Sequence, residues 1–113
     1  MIGALKGANL AVAFLLEVVA LTAFAFWGWT AGTNFATRLL LVIALPVVAA
    51  LLWGAFLSPK PEFQLPGAVV RFAQLVFFAL AELALWASGH PLASLVTAAV
   101  LVVNRALLAA WRQ

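Results

Sequence analysis

Apolar residues fill four stretches of this chain almost without interruption, and polar residues gather in the three gaps between them. The hydrocarbon core of a bilayer is about 30 Å thick and an α-helix rises about 1.5 Å per residue, so roughly 20 mainly apolar residues cross it. The stretches that meet this length run from about 8 to 29, 35 to 57, 68 to 87 and 91 to 111. Each gap has its own punctuation. Thr30-Ala31-Gly32-Thr33-Asn34 is a short polar turn. The segment from Ser58 to Gly67 holds Pro59, Pro61 and Pro66, which remove backbone donors and stop a helix. Ser88-Gly89-His90-Pro91 reads as a tight reversal, with glycine closing one helix and proline opening the next. No period-two alternation is present, and an open sheet edge cannot sit in lipid. The expected fold is all-α, an integral membrane four-helix bundle forming one transmembrane domain over residues 1–113.

Composition strengthens this reading. Of 113 residues, 68% are hydrophobic and 8% charged, whereas a soluble domain carries about a quarter charged residues. There are too few charges to wet a surface, so the surface must face something apolar. The net charge of +3 is scattered singly and makes no nucleic-acid patch. The absence of Cys excludes disulfide scaffolds, thiol catalysis and Cys-based metal sites. The first apolar run is too long for a signal peptide and lacks an Ala-x-Ala cleavage site, so an uncleaved first span is expected. The bilayer is the expected partner. A homo-oligomer or a larger membrane-protein partner is also expected, because four short helices give one thin core.

Charge placement sets the expected orientation. Lys6, Lys60, Arg71, Arg105 and Arg112 fall toward one side and only Arg38 toward the other. The positive-inside rule then puts both termini and the proline-rich loop in the cytoplasm, an N-in/C-in topology.

A few polar residues inside the spans could carry chemistry. Glu17 stands eleven residues beyond Lys6, a rise of roughly 16 Å that brings it near the bilayer midplane. A carboxylate there costs several kcal/mol unless it is paired, protonated or facing a polar cavity, which is the situation required of a proton or cation carrier. The bland alternative is a structural acid bonding two helices. Glu82 stands eleven residues beyond Arg71, at a comparable height, so the two carboxylates could approach and share one proton. Trp86, four residues on, is a candidate N–H donor to Glu82; the plain alternative is that Glu82 lies nearer the outer surface, within reach of water. Arg105 either snorkels to the headgroups or reaches inward to Glu17 or Gln74. Asn9, Gln74 and Asn104 could join Arg105 in a polar cluster on the inner half, where interhelical amides act mainly as adhesive.

Pro46 interrupts the second span and should bend it. Pro46, Ala50 and Gly54 recur every four residues, a small-residue stripe suited to helix contact, as Ser94 and Ala98 do on the fourth span. Lys6, Asn9 and Glu17 have the same spacings as Arg71, Gln74 and Glu82, which would fit two related helical hairpins, although the second and fourth spans show no such match. His90 is a lone loop histidine without a second ligand. No metal site, cofactor site, phosphate loop or nucleophile–base set is present, and the chain is not expected to be an enzyme.

Asn9-Leu10, Phe14-Leu15-Leu16-Glu17, Trp53-Gly54-Ala55-Phe56-Leu57-Ser58-Pro59-Lys60, Leu65-Pro66, Gly89-His90 and Asn104-Arg105 together resemble the YrdB-like family. These are small bacterial membrane proteins of unknown function. The likeness covers nearly the whole chain, and its Trp-Gly-x-Phe-x-x-Pro-Lys core is fairly specific. Gln74 departs from the family pattern, which often has an acidic residue there. The resemblance implies bacterial origin, four spans and a multi-pass protein of the cytoplasmic membrane, without a mechanism. Ala13-Phe14-Leu15-Leu16-Glu17-Val18 also looks like the first helix of small multidrug-resistance exporters, where one membrane glutamate exchanges protons for organic cations. The strong cation bias, the Gly89-His90-Pro91 reversal and Arg105 are foreign to those exporters, so that likeness is one of chemistry. The expected function is a small proton- or cation-coupled transporter or channel-like protein using a buried glutamate, Glu17, with Glu82 as the second candidate. The alternative is a non-catalytic scaffold or accessory subunit of a larger membrane complex.

Overall fold

Four helices in sequence order build the chain: α1 (Ile2–Ala31), α2 (Phe35–Leu52), α3 (Gly67–Ala87) and α4 (Pro91–Ala110). A π-helical turn, Trp53–Leu57, continues α2. The computed structural model describes residues 2–57 and 63–111. The expected loop prolines Pro59 and Pro61, and the cations Lys60 and Arg112, lie outside the described residues. All four helical segments are long and apolar enough to cross a membrane. Helix is the form that lets such segments satisfy every backbone donor and acceptor internally.

The boundaries follow the expected spans, with two differences. The first helix begins at Ile2 rather than near Ala8 and runs on through Thr30 to Ala31. Nothing in Ile2–Gly7 breaks a helix, and Thr30 folds its hydroxyl back onto the Phe26 carbonyl (3.1 Å) instead of opening the turn. The reversal is therefore confined to Gly32–Asn34. Asn34 caps α2: its Oδ1 accepts from the Thr37 N–H (2.9 Å), and Thr37 Oγ1 accepts from the Asn34 N–H (3.1 Å), a reciprocal capping box. Arg38, the lone cation at this end among the described residues, belongs to the same turn. It donates from Nε to the Gly32 carbonyl (3.2 Å), and its guanidinium lies 5.5 Å from the Trp29 ring centroid. At the other hairpin Gly89 adopts φ 88°, the left-handed conformation that ends α3, and Pro91 opens α4.

Helix α1 touches all three others, and α3 touches α1, α4 and the π turn; among the described residues no contact joins α2 to α4. Helices α1 and α3 thus form a central pair, flanked on opposite sides by α2 and α4. Small residues make this possible: Ala20, Ala23, Ala81 and Ala84 are buried between α1 and α3 beside Leu16, Phe78 and Leu85. Large apolar side chains face outward instead, among them Leu40, Leu51, Phe72, Leu92 and Val102, each more than 60% exposed. In water such a surface would aggregate. In hydrocarbon it is the wetted face.

The stripe expected on α2 faces the other way. Ala50 and Gly54 are exposed, whereas Ala49, Trp53 and Leu57 are buried. Helix α2 continues through Pro46, and the change of pitch falls at Trp53–Leu57. A π turn inserts a residue into the helical repeat and so rotates everything after it, bringing Trp53 and Leu57 onto one inward face. On α4 the expectation holds: Ser94 is buried and Ala98 half-buried.

Candidate functional site

Two polar groups sit inside the bundle, one on each side of the Leu16–Phe78 packing. The first centres on Glu17. Its carboxylate accepts a hydrogen bond from Trp53 of the π turn, and the charge that acts on it is the Arg105 guanidinium of α4. Arg105 is drawn inward rather than snorkelling to the headgroups. One terminal nitrogen donates to Gln74 Oε1 (3.3 Å), and the guanidinium carbon lies 4.7 Å from the Phe78 ring centroid. Gln74 in turn donates from Nε2 to the Leu57 carbonyl at 2.6 Å, at the end of the π turn. A chain of contacts therefore runs from α1 through α2 to α3 and α4. Within it, Arg105 Nε is buried without a hydrogen-bond partner.

Asn104, the neighbour of Arg105, faces α1. It is almost fully buried and donates from Nδ2 to the Asn9 carbonyl (2.9 Å) and to Asn9 Oδ1 (2.8 Å). The polar cluster expected from Asn9, Gln74, Asn104 and Arg105 is thus two pairs joined by adjacent residues of α4. The Asn9–Asn104 pair forms the floor of an open groove of about 480 Å³ between α1 and α4, walled by Val12, Val103, Leu107 and Trp111. Asn104→Leu is expected to lower stability by about 1 kcal/mol, the scale of an interhelical amide bond in membranes. Reversible unfolding in mixed micelles measures this.

The second group centres on Glu82. It lies beside Leu16, Val19, Ala20 and Ala23 of α1. Its partners are on α4: Ser94 Oγ lies 2.9 Å from Oε2, and Thr97 Oγ1 lies 2.8 Å from Oε1 and 2.9 Å from Oε2. Trp86, the donor expected from its spacing, is exposed. The two glutamates are therefore engaged by different helices. Glu17 bonds toward α2 and faces the charge on α4, and Glu82 bonds toward α4. The equally spaced Asn9, Glu17 and Gln74, Glu82 differ in their partners, since Gln74 also accepts from Arg105 within its own hairpin. Asn9 pairs across to α4 and Gln74 across to the end of α2, while each glutamate bonds within its own hairpin.

Sequence reasoning singled out Glu17, Glu82, Asn9, Gln74, Asn104 and Arg105, but not four residues that contact them: Trp53, Ser94, Thr97 and Phe78. Trp53 carried a usable signal, because an indole inside a span needs an acceptor for its N–H. Ser94 and Thr97 are the hydroxyl residues of the fourth span, one turn apart, which places both on one face. Phe78 offered no signal distinguishing it from its apolar neighbours.

Four apolar helices around an internal chain of polar contacts define the class: a multi-pass, all-helical membrane protein. Residues 11–102 match the family described as protein of unknown function (DUF2568), and the chain belongs to it. No curated protein and no solved structure matches the chain.

Proposed function

We propose that the chain is a small proton- or cation-coupled transport protein of a bacterial cytoplasmic membrane, both termini inside, in which Glu17 is the group that takes up and releases the transported charge. The YrdB-like residue pattern and the positive-inside distribution of Lys6, Arg71 and Arg105 support the compartment and orientation. The observation that carries the reading is the incomplete compensation of the charge pair. Arg105 spends its hydrogen bond on Gln74, its Nε has none, and Glu17 is held by one indole N–H.

Such an arrangement has two settings. With a proton on Glu17, the carboxylic acid is neutral and the guanidinium stays with Gln74 and Phe78. With the proton lost, the carboxylate attracts the guanidinium, and Gln74 is freed to bond the Leu57 carbonyl alone. Because Gln74 and Trp53 both engage the π turn, the exchange would be felt at the inner end of α2. No bond-making step is involved, and the reading is not enzymatic.

Reconstituted in liposomes, the wild-type protein should conduct protons or small cations down an imposed gradient. Glu17→Gln should reduce that flux at least tenfold while leaving the helical circular dichroism unchanged. If Glu17→Gln alters only thermal stability, the residue is structural. A second reading, an accessory subunit, draws on the α1–α4 groove, where Asn104 Oδ1 is buried without a partner. It requires a membrane helix with a side-chain donor to co-purify in fixed stoichiometry and to be lost on Val103→Trp.

A further inference from the structure

We propose that the cavity beside the two hairpin turns, bordered by Trp29 and His90 with Arg38 at its mouth, binds one anionic phospholipid. The phosphodiester sits at Arg38 and one acyl chain runs down to Val42. The cavity holds about 400 Å³ and lies between the end of α1, Val42 of α2 and the turn that joins α3 to α4. Val42 stands seven residues beyond Phe35, where α2 begins, so the cavity reaches about 10 Å into the bundle from the turns. Helix ends mark the boundary between headgroups and hydrocarbon. The mouth of the cavity is therefore at headgroup level, and its floor of Ala25, Phe26 and Val42 is at the level of acyl chains. A polar head with an apolar tail fits both halves.

The mouth carries unspent donors. Arg38 bonds the Gly32 carbonyl through Nε (3.2 Å), which leaves both terminal nitrogens, and it shares a helical face with Val42 one turn on. Its guanidinium lies 5.5 Å from the ring centroid of Trp29, itself a wall of the cavity. Among the described residues the Trp29 and His90 rings meet only other rings and Arg38: Trp29 packs on Phe35 at 6.2 Å and His90 stacks on Phe26 at 5.3 Å. Guanidinium, indole N–H and imidazole are all donors, and phosphate oxygens accept from each of them. The hydroxyls of Thr30 and Ser88 do not compete, since they donate to the Phe26 and Ala84 carbonyls. Charge selects the head. Neither turn contains an acidic residue, so among the described residues Arg38 has no acidic partner. A singly anionic head such as phosphatidylglycerol balances it. A phosphocholine head would instead bring an ammonium beside Arg38, and one face of the Trp29 ring it would seek is already covered by the guanidinium.

This site is separate from the charge exchange proposed at Glu17, and the two can fail independently. The purified full chain in detergent is mixed with equal amounts of phosphatidylglycerol and phosphatidylcholine bearing the same chains, and the lipid it retains is read by native mass spectrometry. Phosphatidylglycerol should be retained about fivefold over phosphatidylcholine, the scale of one basic residue at a membrane surface. Arg38→Gln should remove the preference. Arg71→Gln, at the other end of α3, should keep it. Val42→Trp fills the chain half of the cavity and leaves the turn intact, so it should lower retention of phosphatidylglycerol to the level of phosphatidylcholine. That variant reads the site even if Arg38→Gln does not fold. Excess inorganic phosphate should not displace the lipid; displacement would mean that a free phosphate is the ligand and would overturn the assignment to a lipid. Equal retention of the two lipids by the wild type, a preference that survives Arg38→Gln or Val42→Trp, or one that is lost in Arg71→Gln likewise overturns the proposal.

Discussion

Replacing Arg105 with methionine is expected to destabilise the protein by about 3 kcal/mol, because removing this cation leaves the Glu17 charge uncompensated within an apolar span. Methionine keeps much of the length and the apolar stem of arginine, so it preserves the packing on Phe78 and isolates the charge. What it removes is the cation acting on Glu17, together with the donor to Gln74 Oε1. The double variant Glu17→Gln with Arg105→Met is expected to recover most of the loss. The amide introduced by Glu17→Gln can still accept from Trp53, and no charge then remains to be solvated. Unfolding in mixed micelles of the two single variants and the double variant closes the cycle. An Arg105→Met cost that persists undiminished in the Glu17→Gln background would mean that the pair is not coupled, and the proposed exchange at Glu17 would lose its counter-charge.

Gly28→Val is expected to have an effect of similar size by a different route. A Cβ at Gly28 would come within 2.8 Å of the Leu41 carbonyl carbon and oxygen, which are backbone atoms and cannot rotate away. Four residues on, a Cβ at Gly32 would lie 2.7 Å from the Arg38 Cα. The C-terminal end of α1 and the start of α2 thus touch backbone to backbone, a close approach open to glycine. Forcing a branched side chain into this contact should cost about 3 kcal/mol, the upper range for overpacking. It would also splay the hairpin that carries the Asn34 cap and the Arg38–Trp29 contact. Gly54→Ala provides the control. A Cβ there meets nothing within 4 Å, so its stability should stay within about 0.5 kcal/mol of the wild type. Comparable losses at both positions would show that the α1–α2 approach is not the cause.

The glycines also mark where sequence reading stops. Gly28 and Gly54 look alike in the sequence, each within an apolar span, yet one is a point of closest approach and the other faces outward. Pro46, Ala50 and Gly54 make a small-residue stripe on any helix drawn at regular pitch, but the buried residues are Ala49, Trp53 and Leu57. The π turn gives no obvious sequence signature; in it Trp53 packs on Phe77 and Phe78, whose rings lie 5.0 and 5.3 Å from its own.

Similarly, equal offsets within their helices put Glu17 and Glu82 at comparable heights in the sequence. The structure gives them different partners, Trp53 and Arg105 for Glu17 and Ser94 and Thr97 for Glu82. The polar residues themselves are legible, because a charged or amide side chain within a span stands out against hydrocarbon. Their pairing is not, since the partner of each depends on the rotation and axial offset of its helix.

Length and hydropathy alone determined that there are four helical segments, nearly where each begins and ends, and which side chains need compensation. These follow from local quantities: the thickness of hydrocarbon, the helical rise, and the transfer cost of a polar group. Only the tertiary structure decided that α1 and α3 form the central pair, that Trp53 and Arg105 attend Glu17, and that Ser94 and Thr97 attend Glu82. Those outcomes depend on packing among helices whose lipid-facing and buried sides are equally apolar, so no periodic contrast along the chain records them.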